Sequence, residues 1–258
     1  YNSIGQDYNV NRAADPRIIK QLIDLLDVPN NSKIVDIGAG TGNYTNKLAD
    51  SGFIVDAVEP SQLMIDQAKK HPNVKWLMST AEKMELQKNF YDGAVSTLAI
   101  HHFSSLEVSF STIYQTLKNN KHFVIFGADP RKIDANCWLK DYFGNLIDKA
   151  IDTYLEVSEV ILKLESIFEN KVVYTPFSIP YDITDGFFYA GWQTPEKYLD
   201  KNFRNNISVF AKSNEKSLQK CIDKLQLDLK NGIWEKKYGV VRNLNVYNGG
   251  YYFLKVTK

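Results

Sequence analysis

The chain has 258 residues, of which 31 are Lys or Arg and 30 are Asp or Glu, so its formal net charge is +1 at pH 7. A chain this close to neutrality carries no general positive field, which argues against nucleic acid as its partner. The hydrophobic fraction of 44% is enough for a packed core, and the length allows one large α/β domain with an insertion.

The cysteines and the hydropathy argue against a disulfide-rich, a metal-binding and a membrane protein. Cys137 and Cys221 are the two cysteines of the chain, and their spacing is typical neither of a metal site nor of a disulfide framework. The sequence also has no apolar run of about 18 residues and no signal-peptide pattern. We therefore expect a soluble, cytoplasmic protein without a metal or a membrane partner. Whether it is a monomer or a homodimer is left open.

The first 30 residues are predicted to form a lid and a helix. Asp15 and Pro16 are a cap and a first-turn proline, and apolar residues at helical spacing predict a helix over 16–27. Tyr8 and Arg12 lie four positions apart ahead of this helix. They belong either to a surface segment or to a lid in which Arg12 faces the carboxylate of a ligand.

Residues 34–45, with the sequence IVDIGAGTGNYT, are the most informative stretch of the chain. An apolar strand is followed by a turn that contains Gly38, Gly40 and Gly42, and then by a predicted helix over 43–51. Strand, glycine turn and helix form the first half of a βαβ unit. The glycines allow the backbone to approach a ligand that any Cβ atom would push away.

Two phosphate-binding interpretations of this turn fit poorly. A dinucleotide fingerprint, G-x-G-x-x-G, requires its third glycine at position 43, where the chain has Asn43. A P-loop requires a lysine after its last glycine, and none follows Gly42. Asp36, at the end of the strand, further disfavours a phosphate and suits a ligand with an ammonium or sulfonium group.

The run Val35–Gly42 resembles the glycine-rich motif of class I S-adenosylmethionine-dependent methyltransferases, in which an apolar strand, an acid and an apolar residue precede G-x-G-x-G. The resemblance implies an α/β fold with a doubly wound, Rossmann-like sheet of seven mostly parallel strands. The last strand is then antiparallel and lies between the fifth and the sixth. It also implies S-adenosyl-L-methionine as cofactor and S-adenosyl-L-homocysteine as product. The implied cofactor contacts in this part of the chain are Tyr8, Arg12, Asp36, Gly38, Ala39, Gly40 and Gly42.

The second strand is predicted over 53–58 and ends at Glu59, close to the spacing of about 20 residues expected for a ribose-binding acid. A carboxylate there accepts hydrogen bonds from both ribose hydroxyls. The resemblance extends through Pro60 and Ser61, which open a helix, and implies that Met64 packs near the adenosine. A solvated loop acid and a core methionine are the alternatives.

A third strand is predicted over 74–78. In the resembled family, the residues that follow this strand contact the adenine ring. Thr80, Ala81 and Glu82 occupy these positions. Thr80 replaces the acidic residue that is usual in the family, which leaves the contact with the adenine amino group open.

Residues 91–98 predict the fourth strand, whose end faces the same crevice as the glycine turn because parallel strands bring their carboxyl ends together. The stretch through Phe103 resembles the corresponding motif of the ubiquinone/menaquinone-methyltransferase-like group, also called methyltransferase type 11. This resemblance implies that Thr97 and Leu98 contact the methionyl amine.

His101 and His102 follow this strand. A histidine can accept a proton from an acceptor hydroxyl or amine near neutral pH, so both are candidate catalytic bases. Adjacent residues of a turn point in different directions, and we expect only one of them to face the site. The alternative is a structural role for both, such as capping a helix near Ser104.

The rest of the chain is predicted to complete the sheet. A fifth strand is expected over 122–126, helical structure over 131–170, a sixth strand over 171–179 and a seventh over 250–257.

The predicted organisation has four parts: the lid and first helix (1–30), the cofactor-binding core (31–180), a helical cap (181–248) and the final strand (249–258). An oligomer surface is the alternative to a cap. The aromatic residues predicted to line the acceptor pocket are Trp138, Tyr142, Phe187 and Trp192.

The sequence therefore predicts an enzyme that moves a methyl group from S-adenosylmethionine to the O, N, C or S atom of a small molecule. The aromatic cap favours an apolar or aromatic acceptor, as in antibiotic or other natural-product biosynthesis. Positioning and exclusion of water are the main catalytic tasks. A non-catalytic protein that binds the same cofactor is the alternative. The glycine at position 42 rather than 43 disfavours a nicotinamide enzyme.

Overall fold

The structure, a computed structural model, describes residues 12–134, 137–151, 154–205, 207–211 and 213–258, and for 149–150 only the backbone. Its strands are β1 (Lys33–Ile37), β2 (Ile54–Glu59), β3 (Val74–Met78), β4 (Tyr91–Thr97), β5 (Leu117–Ala128), β6 (Val173–Pro180) and β7 (Val246–Thr257). They form one sheet in the order β3-β2-β1-β4-β5-β7-β6. Neighbouring strands are parallel except β7, which is antiparallel to both β5 and β6. The predicted doubly wound sheet is thus confirmed.

Two strands are longer than predicted. β5 begins at Leu117, which pairs with Tyr91, and β7 begins at Val246, which pairs with Pro180. The additional residues are mostly polar or glycine, so they carry no apolar pattern. They are strands because their backbone finds a neighbouring strand to pair with, and a local pattern does not reveal such a partner.

The helices lie on both faces of this sheet. None of those in the described part of the chain is long and apolar enough to cross a membrane. They are α1 (Pro16–Leu26), α2 (Asn43–Asp50), α3 (Gln62–Gln67), α4 (Leu106–Thr116), α5 (Trp138–Ile151), α6 (Val157–Phe168), α7 (Lys201–Asn205), α8 (Ser208–Ala211), α9 (Glu215–Lys230) and α10 (Ile233–Tyr238). Single 3₁₀ turns occur at Ile100–His102, Pro130–Lys132, Pro195–Leu199 and Gly239–Asn243.

The helical structure predicted over 131–170 consists of two helices, α5 and α6, rather than one continuous run. The reason is the buried carboxylate of Asp129 at the end of β5. Its Oδ2 accepts a hydrogen bond from the backbone N–H of Val157, 3.1 Å away, at the first residue of α6. Because Asp129 accepts a hydrogen bond from a free N–H group of the first turn, α6 can begin here without continuing from α5.

The two faces of the sheet carry different cores. In β1, Ile34 belongs to one core and Val35 and Ile37 to the other, as the alternation of side chains along a strand requires. The first core contains α1, α2, α5 and much of the β6–β7 connection, residues 181–245. The second contains α4 and α6.

The β6–β7 connection is held to α5 by aromatic side chains. Trp138 and Trp192 are both fully buried, and the indole N–H of Trp138 donates to the backbone oxygen of Trp192 at 2.7 Å. Trp138 also makes edge contacts with Tyr198 and Trp234, at centroid distances of 5.3 and 5.6 Å. Aromatic pairs of this kind contribute about 0.5–1.5 kcal/mol beyond the burial of their area.

The start of α1 is tied to the beginning of the β6–β7 connection by the buried carboxylate of Asp15. It caps the helix by accepting from the backbone N–H of Arg17 at 2.9 Å, and it accepts from the N–H and hydroxyl of Thr184 at 3.0 and 3.1 Å. Burial alone would raise the pKa of Asp15, but the hydrogen bonds from Arg17 and Thr184 outweigh it and lower the pKa to about 2.

We expect Asp15→Asn to lower the free energy of unfolding by about 2 kcal/mol at pH 7. The folded-state pKa lies below the value of about 3.9 for an exposed Asp, so the charge stabilises the fold above pH 4 and loses this effect as the pH falls toward 2. Urea denaturation should therefore show about half of the difference at pH 3. Asp24→Asn, an exposed partner of Lys20 on the same helix, is the control. A difference independent of pH would show that the charge of Asp15 is not responsible.

Candidate functional site

A cleft opens at the carboxyl ends of β1 and β4, where the strand order changes direction. It contains about 1150 Å³ of space free of protein atoms, part of it continuous with solvent. Residues from the turn after β1, the end of β4 and the β6–β7 connection share its wall. The predicted site residues in this wall are Arg12, Gly38, Ala39, Gly40, Glu59, Met64, Thr97, Leu98, His101, His102 and Phe187.

Two glycines of the turn after β1 are needed for different reasons. Gly38 has φ +75°, and a Cβ atom there would lie 2.4 Å from the Cβ of Ala99, so no side chain fits. Gly40 has φ +59°, and a Cβ atom there would meet nothing within 4 Å. Because Gly40 lies in the wall, that open space belongs to the cleft. Gly38 therefore permits the packing of the turn, and Gly40 keeps the backbone accessible to a ligand.

The carboxylate of Glu59 is oriented by the protein. Its Oε2 accepts from the N–H of Gly40 at 2.9 Å and its Oε1 from the N–H of Ser61 at 3.0 Å. Burial raises the pKa of Glu59, while these two hydrogen bonds act in the opposite direction. Each oxygen has a second lone pair, so the carboxylate can accept hydrogen bonds from a ligand as well.

Asp36 lies beneath the turn rather than in the wall. It is 1% exposed, and the hydroxyl of Thr45 donates to its Oδ2 at 2.6 Å. Burial raises its pKa to about 6; the Thr45 hydrogen bond opposes this rise, and the charge of nearby Glu59 adds to it. Within the described residues, its Oδ1 has no hydrogen-bond partner. Any contact of Asp36 with a ligand cation stays a prediction.

The end of β4 is strained. Leu98 has φ +51°, in the left-handed region that residues other than glycine rarely adopt, and its N–H donates to the oxygen of Phe126 at 2.7 Å. Such a backbone costs about 1–3 kcal/mol and is typical of functional sites. Next to it, the hydroxyl of Thr97 is buried without a partner among the residues that the structure describes.

The two histidines differ in their surroundings. Both lie in the wall, on the 3₁₀ turn after β4, with ring centroids 3.8 Å apart. The ring of His101 stacks on Tyr154, with a centroid distance of 4.3 Å and planes 19° apart. His101 is half-buried and His102 is exposed. The stacking contact therefore orients His101 within the cleft, and His102, in the same wall, is the more exposed of the two.

Arg12 lies in the wall, and its charge is balanced by a carboxylate of the protein. Its Nε and Nη2 donate to Oδ1 and Oδ2 of Asp185 at 2.5 and 3.3 Å. The hydroxyl of Tyr44 donates to the same Oδ2 at 2.8 Å. The predicted partner of Arg12 was a ligand carboxylate, and the pairing with Asp185 was not foreseen. Tyr8, with the rest of 1–11, lies outside the described residues.

Three of the four residues predicted to line the acceptor pocket belong to the aromatic core instead. Among the described residues, the wall includes Phe187 but not Trp138, Tyr142 or Trp192. Trp192 is fully buried and stacks on Tyr247 at 5.2 Å, and the hydroxyl of Tyr142 donates to Asp228 at 2.8 Å. The largest aromatic side chains gain most from complete burial, which places them behind the cleft.

Other predicted cofactor residues also have structural partners. Glu82 accepts from the N–H groups of Ser104 and Ser105 at 2.6 and 3.3 Å, just before α4. A Cβ atom at Gly42 would lie 2.8 Å from the ring of Trp76. The remaining residues of this group outside the wall, as far as the described residues define it, are Pro60, Ser61, Thr80 and Ala81.

About half of the residues in the wall of the cleft were not predicted from the sequence. Several of these residues directly follow predicted ones in the sequence, as Thr41 follows Gly40 and Phe188 follows Phe187. Their position beside a predicted site residue could have identified them. Others come from distant parts of the chain and had no local signal. The residues missed are Thr41, Asn43, Tyr44, Ala99, Ala128, Tyr154, Asp185, Phe188, Ile207, Ser208, Val209 and Tyr251.

In the described part of the chain, no group of three or more His, Cys, Asp or Glu residues is arranged to hold a metal ion.

Comparisons with known proteins point to one family. Residues 35–125 match the family model described as a methyltransferase domain. A provisionally assigned methyltransferase of Dictyostelium discoideum is 32% identical over 204 residues, which cover 74% of this chain and 76% of that protein. Among solved structures, a provisionally assigned methyltransferase from an antibiotic biosynthesis pathway of Anabaena variabilis is 40% identical. Its TM-score is 0.92, over 96% of this chain and 99% of that chain.

A more distant structure shares the fold alone. Phosphoethanolamine N-methyltransferase 2 of Haemonchus contortus, solved in complex with S-adenosyl-L-methionine, is 15% identical, with a TM-score of 0.62. The match covers 100% of this chain and 56% of that chain.

We expect Gly38→Ala to lower the free energy of unfolding by about 3 kcal/mol, because it adds a steric clash with Ala99 to an unfavourable φ. Adding Ala99→Gly should recover about 1–2 kcal/mol in a double-mutant cycle measured by urea denaturation. Gly144→Ala, inside α5, is the matched control, since its Cβ would meet only Lys140 at 3.9 Å. It should be neutral or slightly stabilising. Strict additivity of the pair would refute the proposed contact.

Proposed function

This chain belongs to the class I S-adenosylmethionine-dependent methyltransferase family, and from that premise we propose that it transfers the methyl group of S-adenosylmethionine to a small molecule. The observation that carries this proposal is the accessible glycine turn beside an oriented carboxylate, Gly40 next to Glu59, at the end of β1 and β2.

The residues of the cleft fit the cofactor. A Cβ atom at Gly40 would fill space that a ligand can use, and the carboxylate of Glu59 suits the two ribose hydroxyls. Met64, 2% exposed, offers an apolar surface for the adenine, and the unpartnered hydroxyl of Thr97 is a further polar contact.

The acceptor side of the cleft supports an apolar or aromatic acceptor. Phe187 and Tyr251 are in contact there, with ring centroids 4.3 Å apart, and Phe188, Ile207 and Val209 continue this apolar wall. Since the last three belong to the β6–β7 connection, the same observation supports its assignment as a cap. The antibiotic pathway named for the relative from Anabaena variabilis supports a natural product as the acceptor.

The chain's own residues would act by positioning and by proton transfer. When bound, the cofactor supplies an electrophilic methyl group on a sulfonium sulfur. The apolar wall excludes water from the reacting groups, which favours attack by the acceptor over side reactions. His101, oriented by its stacking on Tyr154, would accept the proton of an acceptor hydroxyl or amine at a ring nitrogen.

The proposal is tested with purified protein, methyl-labelled S-adenosylmethionine and a pooled metabolite extract, read by mass spectrometry for added methyl groups. A labelled product supports the proposal and identifies the acceptor. Calorimetric binding of S-adenosylhomocysteine without any product from a broad acceptor pool would favour a non-catalytic cofactor-binding protein. Absence of both binding and product would overturn the proposal.

We expect Glu59→Gln to weaken the binding of S-adenosylhomocysteine by about 1–3 kcal/mol, because the ribose hydroxyls lose a charged acceptor. Glutamine keeps the size of the side chain, and calorimetry reports the affinity of the folded protein directly. Glu85→Gln, an exposed acid after β3, should leave the affinity unchanged. Equal affinities for wild type and Glu59→Gln would mean that the ribose is not bound at the end of β2.

We expect His101→Ala to lower turnover about 100-fold with little change in affinity for S-adenosylhomocysteine, because it removes the proton acceptor but no predicted cofactor contact. His102→Ala should cost much less, since the stacking on Tyr154 orients the ring of His101 and His102 is the more exposed of the two. His71→Ala, at the surface near Asp50, measures the background effect of losing a histidine. Parallel losses of turnover and cofactor affinity would instead indicate a structural role for His101.

A further inference from the structure

The carboxylate of Asp185 joins three separate parts of the chain at the edge of the cleft. It is fully buried and accepts from Arg12 through Nε and Nη2 and from the hydroxyl of Tyr44. Arg12 and Asp185 are also paired through their backbones as an isolated antiparallel bridge. A buried carboxylate is costly unless it is paired and hydrogen-bonded, so these contacts are needed to keep Asp185 in this place.

The same cluster is connected to the glycine turn. The side-chain amide of Asn43 donates to the backbone oxygen of Arg12, and Asn43 and Tyr44 are the first two residues of α2. This helix begins directly after Gly42, the last glycine of the turn. A displacement of Asp185 would therefore also move Arg12 and Tyr44, the residues of the wall that connect it to the glycine turn.

In the sequence, Asp185 is followed closely by Phe187, the first residue of the apolar wall. Its backbone oxygen accepts from the N–H of Phe187 at 2.9 Å, which forms the turn that brings Phe187 against Tyr251. Asp185 thus stands between the two halves of the cleft, with Arg12 and Tyr44 on one side and Phe187 on the other.

The chemistry of Arg12 indicates which part of the cofactor depends on this cluster. A guanidinium is a fork of five N–H donors that suits carboxylates, and the two contacts with Asp185 fix the plane of that fork in the wall. Within S-adenosylmethionine, the amino-acid end carries the carboxylate. Binding of this end should therefore depend on the orientation of Arg12 that Asp185 sets, whereas binding of the adenosine should not.

We infer that Asp185 is a positioning residue for the amino-acid end of the cofactor: it holds Arg12 and Tyr44 in the geometry that receives this end without touching the reacting atoms. This inference rests on the proposed use of S-adenosylmethionine. It assigns a role in cofactor binding to a residue of the β6–β7 connection, far along the chain from the glycine turn.

The test compares two ligands in two variants by calorimetry, at a temperature where each protein is folded. In Asp185→Asn, the affinity for S-adenosylhomocysteine should fall about tenfold, while the affinity for adenosine, which lacks the amino-acid end, should stay within about twofold. Asp182→Asn is the matched control. Asp182 joins the same two segments through Arg17, 2.5 Å away, but at an exposed position outside the wall, so both affinities should be retained.

Tyr44→Phe is a second variant that changes less of the fold, since it removes one hydroxyl and keeps the ring. It should weaken S-adenosylhomocysteine binding about threefold and leave adenosine binding unchanged, and it serves alone if Asp185→Asn does not fold.

Other outcomes overturn the inference. Unchanged or tighter binding of S-adenosylhomocysteine by Asp185→Asn would show that Asp185 is dispensable, or that it competes with the ligand for Arg12. An equal loss for both ligands would show a merely structural role. A wild-type protein that binds neither ligand would overturn the proposed function itself and this inference with it, which separates the two failures.

Discussion

The backbone of Gly38 passes so close to Ala99 that no side chain fits between them, and the architecture of the cleft depends on this contact. β1 and β4 are parallel neighbours at the point where the strand order reverses, so the chain leaves them toward opposite sides and a crevice opens between. The contact brings the turn after β1 against the end of β4. Gly40 and Thr97, which lie on different strand ends, therefore share one wall.

Two acids, Asp36 beneath the glycine turn and Glu59 in the wall, lie close together at this crevice. Glu59 is the last residue of β2 and Asp36 the second-last of the neighbouring β1; burial raises the pKa of Asp36, and the charge of Glu59 adds to this rise. Glu59 keeps its place through two backbone amides rather than a basic side chain. A sulfonium or ammonium group nearby would relieve the repulsion between the two carboxyl groups. The charge of Asp185, in contrast, is balanced by Arg12.

Local patterns were sufficient for the elements around the glycine turn. β3 has the bounds that were predicted, 74–78, and α2 ends one residue before its predicted end, because apolar runs and glycine stops decide these elements within a few residues. The beginning of β5 could not be predicted, since its polar residues become a strand only through their neighbours. The pairing of Arg12 with Asp185 was equally inaccessible, because it joins residues that are far apart in the sequence and share no local pattern.

The aromatic residues show why a site on a long connection is harder to predict than one on a strand end. The composition of the β6–β7 connection indicated an aromatic surface, but it did not distinguish the side chains that hold the connection from those that face the cleft. Trp192 holds the connection to α5, since its backbone oxygen accepts a hydrogen bond from the indole N–H of Trp138. Phe187 and Phe188, which lie in the wall of the cleft, precede it by only a few residues. The shape of the apolar wall at Phe187 and Phe188 is therefore set in part by a core outside the cleft. Substitutions in that core should therefore change the shape of the wall, because a close-packed interior transmits strain to its neighbours.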